Sequence, residues 1–202
     1  MRPPPHSMGP SLRQSIDVAQ SIKACPVEST TTGTFFQHVR DAVAKRTGGI
    51  PGTLLKGMTT DRWTPFLQYP LRDFMHLAVN AAGILHPHEP LAEGIRRIGW
   101  LAYPSFASTM AGRIVLFAFG EKLEQVVQAT PKIFAVTVPG MVVTILDHSE
   151  RRARLRFEGV YCFADCFMRG VLEGSIWCHG FEPEVVVTTG ARPSDAEFDT
   201  RW

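Results

Sequence analysis

Nowhere in the 202 residues is there an unbroken apolar run long enough to span a bilayer. The most apolar stretch, Ile114 to Phe119, is closed off by Arg113 and by Gly120-Glu121. It falls far short of the roughly 18 apolar residues that a spanning helix needs. The opening MRPPPHSMGP has no apolar core behind a basic start, so it does not read as a secretory signal. An excess of one charge is missing too: Lys and Arg number 21, Asp and Glu 19, for a net charge of +2. That balance gives no footing to nucleic acid or to a membrane surface as an obligatory partner. There are four cysteines, and without an export signal they are expected to be reduced. The expectation is a soluble, cytoplasmic protein.

Catalytic signatures are also missing. The chain has no G-x-S-x-G elbow and no G-x-G-x-x-G turn. The glycine-rich Gly48-Gly49-Ile50-Pro51-Gly52 lacks the Gly-Lys-Ser/Thr ending that a phosphate cradle requires. Acidic residues and histidines are numerous, but sequence alone does not show which of them meet in space.

What is present is an ordinary globular composition, 45% apolar and 20% charged. The length suits one domain with a sizeable core. Residues 1–30, with Pro3, Pro4, Pro5 and Pro10, read as a leader or arm that holds at most a short helix from Ser15 to Ala24. Residues 31–202 read as a single α+β domain. Phe35, Phe36, Val39, Ala42 and Val43 recur at helical spacing before Gly48-Gly49. A second helix is expected from about Leu71 to Ala82. The clearest stripe is Leu91, Ile95, Ile98, Ala102, Phe106, Met110 and Ile114, with Pro104 inside it as a kink or split. A short helix is expected from Glu121 to Ala129.

After Pro131 the period changes to two. Ile133–Val138 and Met141–Leu146 read as strands around a Pro139-Gly140 turn. Arg152 to Glu158 alternates wet and dry. A helix is expected from Asp165 to Cys178, capped by Asp165 and ended by Gly180. Glu184–Thr188 and Ala196–Trp202 complete the strands. The result is an N-terminal helical layer packed on a small, mainly antiparallel C-terminal sheet with one further helix.

Leu91-Ala92-Glu93-Gly94-Ile95-Arg96-Arg97-Ile98-Gly99, Tyr103-Pro104-Ser105-Phe106 and Gly112-Arg113 form a pattern with Gly159-Val160-Tyr161, Gly170 to Gly174 and the final Trp202. This pattern of small and apolar residues around an Arg-Arg pair resembles a myxobacteria-restricted paralogous family of unknown function. The resemblance covers roughly residue 30 to the C-terminus. Through that family the chain is distantly similar to the 4-vinyl reductase and haem–nitric oxide binding domains. The resemblance implies a helical layer against a small sheet, and a fold that holds an apolar small molecule.

Several residues are candidates for chemistry. Cys162, Cys166, Cys178 and His179 have ligand types suited to zinc, but Cys166 and Cys178 lie about 18 Å apart along one helix, so no metal site is expected. His86 and His88 flank Pro87 in what reads as an exposed loop. His76 is the best-placed histidine for a haem iron. The Tyr-x-Ser-x-Arg clamp of the haem–nitric oxide family is, however, incomplete after Tyr103-Pro104-Ser105, and a core or rim histidine is the better account. No cofactor is expected. Arg151, Arg152, Arg154 and Arg156 form a basic ridge without interleaved aromatics, the mark of a solvated strand face.

Trp100 and Tyr103, one turn apart beside Pro104, are the candidate cavity wall. Arg96 and Arg113 are the candidate charges for an acidic ligand head. The functional expectation is an accessory binding module for an apolar small molecule or a partner protein; a homo-oligomer is compatible with it. The alternative is a cofactor-free enzyme of cyclase or isomerase type in specialised metabolism.

Overall fold

The computed structural model describes residues 16–110, 112–113, 122–192 and 194–202. The expected stripe position Ile114, the helix start at Glu121 and the first 15 residues of the expected leader lie outside them. Asp17 caps α1 (Val18–Ala24) through Oδ1, which accepts from the Gln20 amide at 2.9 Å. A two-stranded ribbon follows, in which β1 (Thr30–Thr32) pairs antiparallel with β2 (Gln68–Pro70). Three helices pack beside it: α2 (Gly33–Thr47), α3 (Leu71–Leu85) and α4 (Leu91–Ser108). Gly48 ends α2 in the left-handed conformation expected from the sequence, with φ 77°. Pro104 is contained within α4 and does not end it.

The second half departs from expectation at two places, the strand before Pro139 and the Asp165 cap, since Asp165 lies inside the last helical segment with Phe163 at its N-cap. Ile133–Val138 is not a strand. Helix α5 (Leu123–Thr137) runs through Pro131 and takes in Ile133 to Thr137. β-Branched residues lower helix propensity only slightly, and packing outweighs that here. The Phe134 ring meets Phe157 of the sheet edge-on, centroids 5.3 Å apart. The hydroxyls of Thr130 and Thr137 donate to carbonyls one turn back, at 2.9 Å each. Pro139-Gly140 therefore turns α5 into a strand and is not a hairpin corner.

The sheet has the order β3-β4-β6-β5, all antiparallel, with β3 Val142–Ser149, β4 Arg152–Glu158, β5 Glu184–Thr189 and β6 Ala196–Arg201. The register on β4 is as expected. Leu155 and Phe157 are buried, while Arg154 and Arg156 face water. The basic ridge is neutralised across the sheet, where Arg152 pairs with Asp199 at 2.7 Å and Arg156 with Glu197 at 2.7 Å. The last helix begins as a π turn (Ala164–Met168) and continues as α6 (Arg169–Cys178). Gly180 follows it at φ 87°.

Two cores result. One is built by α2, α3, α4 and the π turn, from Phe36 through Ile98 to Phe167. The other lies between α5, α6 and the inner sheet face, from Val127 through Phe157 to Phe198. Val171 of α6 packs against both. No described helix is long and apolar enough to cross a membrane.

Candidate functional site

Helix α4 crosses α6 at very close range. A Cβ on Gly170 would overlap the Arg96 carbonyl, and one on Gly174 would overlap that of Trp100. Gly170 and Gly174 of the sequence pattern are therefore packing residues, needed where two helix backbones nearly touch. The Arg-Arg pair belongs to the same contact. The buried Arg96 guanidinium forks onto Glu93, at 2.7 and 2.8 Å, and donates also to Glu173. Arg169 donates to the other Glu173 oxygen at 2.8 Å. Arg97 extends the chain of charges outward, to Glu93 at 3.1 Å and to Glu89 at 2.6 Å.

Burial alone would raise the Glu93 carboxyl, but the hydrogen bonds and charge of Arg96, joined by Arg97, hold it below the ordinary glutamate range. Each charge taken out of water has an opposite neighbour in hydrogen-bond contact, as buried charges require.

A cavity of about 90 Å³ lies where the two cores meet. Phe35 and Phe74 face it from the helical core, and Ala102, Tyr103 and Phe106 from α4. Val126, Ile133 and Phe134 close it from α5, and Met168, Val171 and Leu172 from the π turn and α6. Three threonines line it as well, and each has its hydroxyl committed to a main-chain carbonyl: Thr31 to Thr137, Thr130 to Val126 and Thr137 to Ile133. Tyr103 differs. Its hydroxyl is buried without a hydrogen-bond partner among the described residues, and its ring lies 5.6 Å from that of His179. Burial, with the Cys178 thiol as a lesser cause, pushes the phenol well above its ordinary pKa. Burial likewise pushes the cavity-lining Cys162 thiol well up. Both groups are thus protonated at neutral pH.

The structure separates the four residues singled out in the sequence. Tyr103 lines the cavity. Trp100 is 2% exposed and packs at the α4–α6 crossing, not on the cavity wall, with its indole N–H unpartnered. Arg96 is enclosed by carboxylates, and Arg113 is exposed. The Ile133–Phe134 part of the wall escaped sequence reasoning because it was read as strand. The cysteines and histidines form no group suited to a metal ion among the described residues.

This architecture, a helical layer against a four-stranded antiparallel sheet, is the fold of the H-NOX domains. The H-NOX domain from Shewanella oneidensis in the Fe(II)CO state superposes with a TM-score of 0.65 at 14% identity, over 84% of this chain and 97% of that one. The Fe(II) unliganded H-NOX protein from K. algicida gives a TM-score of 0.63 at 10% identity, over 84% and 95%. An oxygen-binding H-NOX domain related to soluble guanylate cyclases gives 0.56 at 14% identity, over 84% and 90%. The chain itself belongs to the family described as protein of unknown function (DUF2378), whose model matches residues 26–202. Comparison with curated proteins finds no significant match.

The iron in those structures raises the question of haem, and the cavity does not fit one. Haem iron takes its axial bond from histidine, cysteine thiolate, methionine or tyrosine. No histidine lines the cavity among the described residues. The ligand types on the described wall are the thiol of Cys162, the thioethers of Met141 and Met168 and the phenol of Tyr103. No lysine or arginine lines it among the described residues to pair with propionates. The 90 Å³ is also far below the roughly 300 Å³ at which cofactor pockets begin.

Proposed function

We propose that this domain is a binding module that takes a compact, uncharged, apolar molecule into the cavity between its two cores, without haem. The supporting observation is the cavity itself, walled by aromatic and aliphatic side chains from both halves of the chain. Native interiors are packed to crystal-like density, with few voids larger than a water molecule. An engineered apolar cavity of about 150 Å³ stays dry and binds benzene. This pocket is smaller, about 90 Å³, and partly open, with a similarly apolar lining. A charged ligand would find no opposite charge on the described lining.

Binding is favoured over catalysis by the lining. Its ionisable side chains are Tyr103 and Cys162, both held protonated, and no base faces the cavity among the described residues. The test is thermal unfolding with and without benzene or xenon, together with methyl and aromatic NMR shifts. Binding to the folded state alone raises Tm in proportion to ln(1 + [L]/Kd). Shifts confined to Phe106, Phe134, Val171 and Leu172 support the reading. An unchanged Tm and unchanged spectra at ligand saturation overturn it.

A further inference from the structure

The polar groups on the cavity wall are unequal. The three threonine hydroxyls are already donated to backbone carbonyls. The Ser175 carbonyl accepts from the His179 ring, with Nδ1 at 2.8 Å. Cys162 offers a thiol, a weak donor. Tyr103 alone combines a place on the wall with a buried hydroxyl that has no partner among the described residues. A buried polar hydrogen left unpaired is costly, and native proteins rarely keep one without use. An ordered water needs two to four polar contacts, and the three threonine hydroxyls on the wall are already given to carbonyls.

We infer that the ligand is a neutral apolar molecule with one hydrogen-bond acceptor, such as a compact ketone or ether, and that the Tyr103 hydroxyl is the donor that orients it. The inference rests on the cavity reading above and adds the ligand's chemical class. A phenol kept protonated by burial is a donor at every physiological pH. Charged heads are excluded for want of a counter-charge on the described lining, and so is a body much larger than benzene for want of room.

Cyclopentane and cyclopentanone serve as probes of nearly equal shape. Each is titrated by NMR into the wild-type domain and into Tyr103→Phe. The wild type is expected to prefer the ketone beyond what water-to-hydrocarbon transfer predicts. Tyr103→Phe should lose about three- to tenfold in ketone affinity, the worth of one hydrogen bond, and keep its affinity for cyclopentane. The unliganded variant should melt at the wild-type temperature or higher, because the change removes an unpaired hydroxyl. Equal ketone affinity in the two proteins overturns the inference and leaves the cavity reading standing if cyclopentane binds. Failure of both probes to bind the wild type overturns both readings. A lower Tm for unliganded Tyr103→Phe overturns the inference too, since it shows that the hydroxyl already had a partner.

Discussion

Gly170 lies so close to the main-chain carbonyl of Arg96 that a single methyl group at its α-carbon would overlap the oxygen. Helix α6 is thereby held against α4, and this contact sets the distance between the two cores that the cavity separates. Gly170→Ala is expected to destabilise the domain by about 1–3 kcal/mol or more, the usual cost of overpacking. Gly49→Ala, where a Cβ meets nothing within 4 Å, is the control and should stay within about 0.5 kcal/mol of wild type. Thermal and urea unfolding measure both.

Acid should weaken the α4–α6 contact. Arg96 holds the Glu93 pKa below its ordinary value. A carboxylate whose folded pKa lies below its unfolded one stabilises the fold above the unfolded value. That contribution is lost as pH falls through the folded value. Wild-type stability should therefore decline as pH drops below about 4.3. Glu93→Gln leaves the Arg96 charge short of a partner, so it should cost about 3–5 kcal/mol at pH 7 and show a flatter acid limb. Urea denaturation at stepped pH distinguishes the two curves.

Filling the cavity should abolish binding without unfolding the protein. Ala102 lines both this cavity and a smaller void that shares Phe35, Phe74 and Phe167 as walls. Ala102→Leu places a good helix former in α4 with its added carbons in empty space. Its stability should stay within about 1.5 kcal/mol of wild type. The rise in Tm produced by benzene should vanish. A variant that still responds to benzene would place the ligand elsewhere.

Hemin added to the purified domain should retain the broad absorption of free hemin. The cavity has no imidazole on its described wall and no cation for propionates. One equivalent of haem with a sharp Soret band, altered by Met168→Ala or Tyr103→Phe, would show that the cavity opens far beyond its present volume.

The amino-acid order alone determined the local elements whose pattern is periodic. The stripe that starts at Leu91 dictates an amphipathic helix, although the helix ends at Ser108 and leaves Met110, expected on the stripe, exposed; Arg152 to Glu158 dictates a strand with one wet face, because a helix repeats every 3.6 residues and a strand every two. Gly48 and Gly180 announced helix ends through the left-handed backbone that glycine takes without strain. The Arg96-Arg97 pair and the glycines from Gly99 to Gly174 were visible as a pattern, but their meaning was not. Only the crossing of two helices, which brings together residues 77 apart in sequence, turns Arg96 from a candidate ligand contact into the centre of a buried ion network with Glu173. Tertiary structure also decided α5. Ile133, Val136 and Thr137 favour a strand by local propensity, and the packing of the half-buried Phe134 against Phe157 overrides them. The cavity follows from that override, since its α5 wall exists only when those residues are helical. A void is the space left over by several elements, and no single element's sequence encodes it.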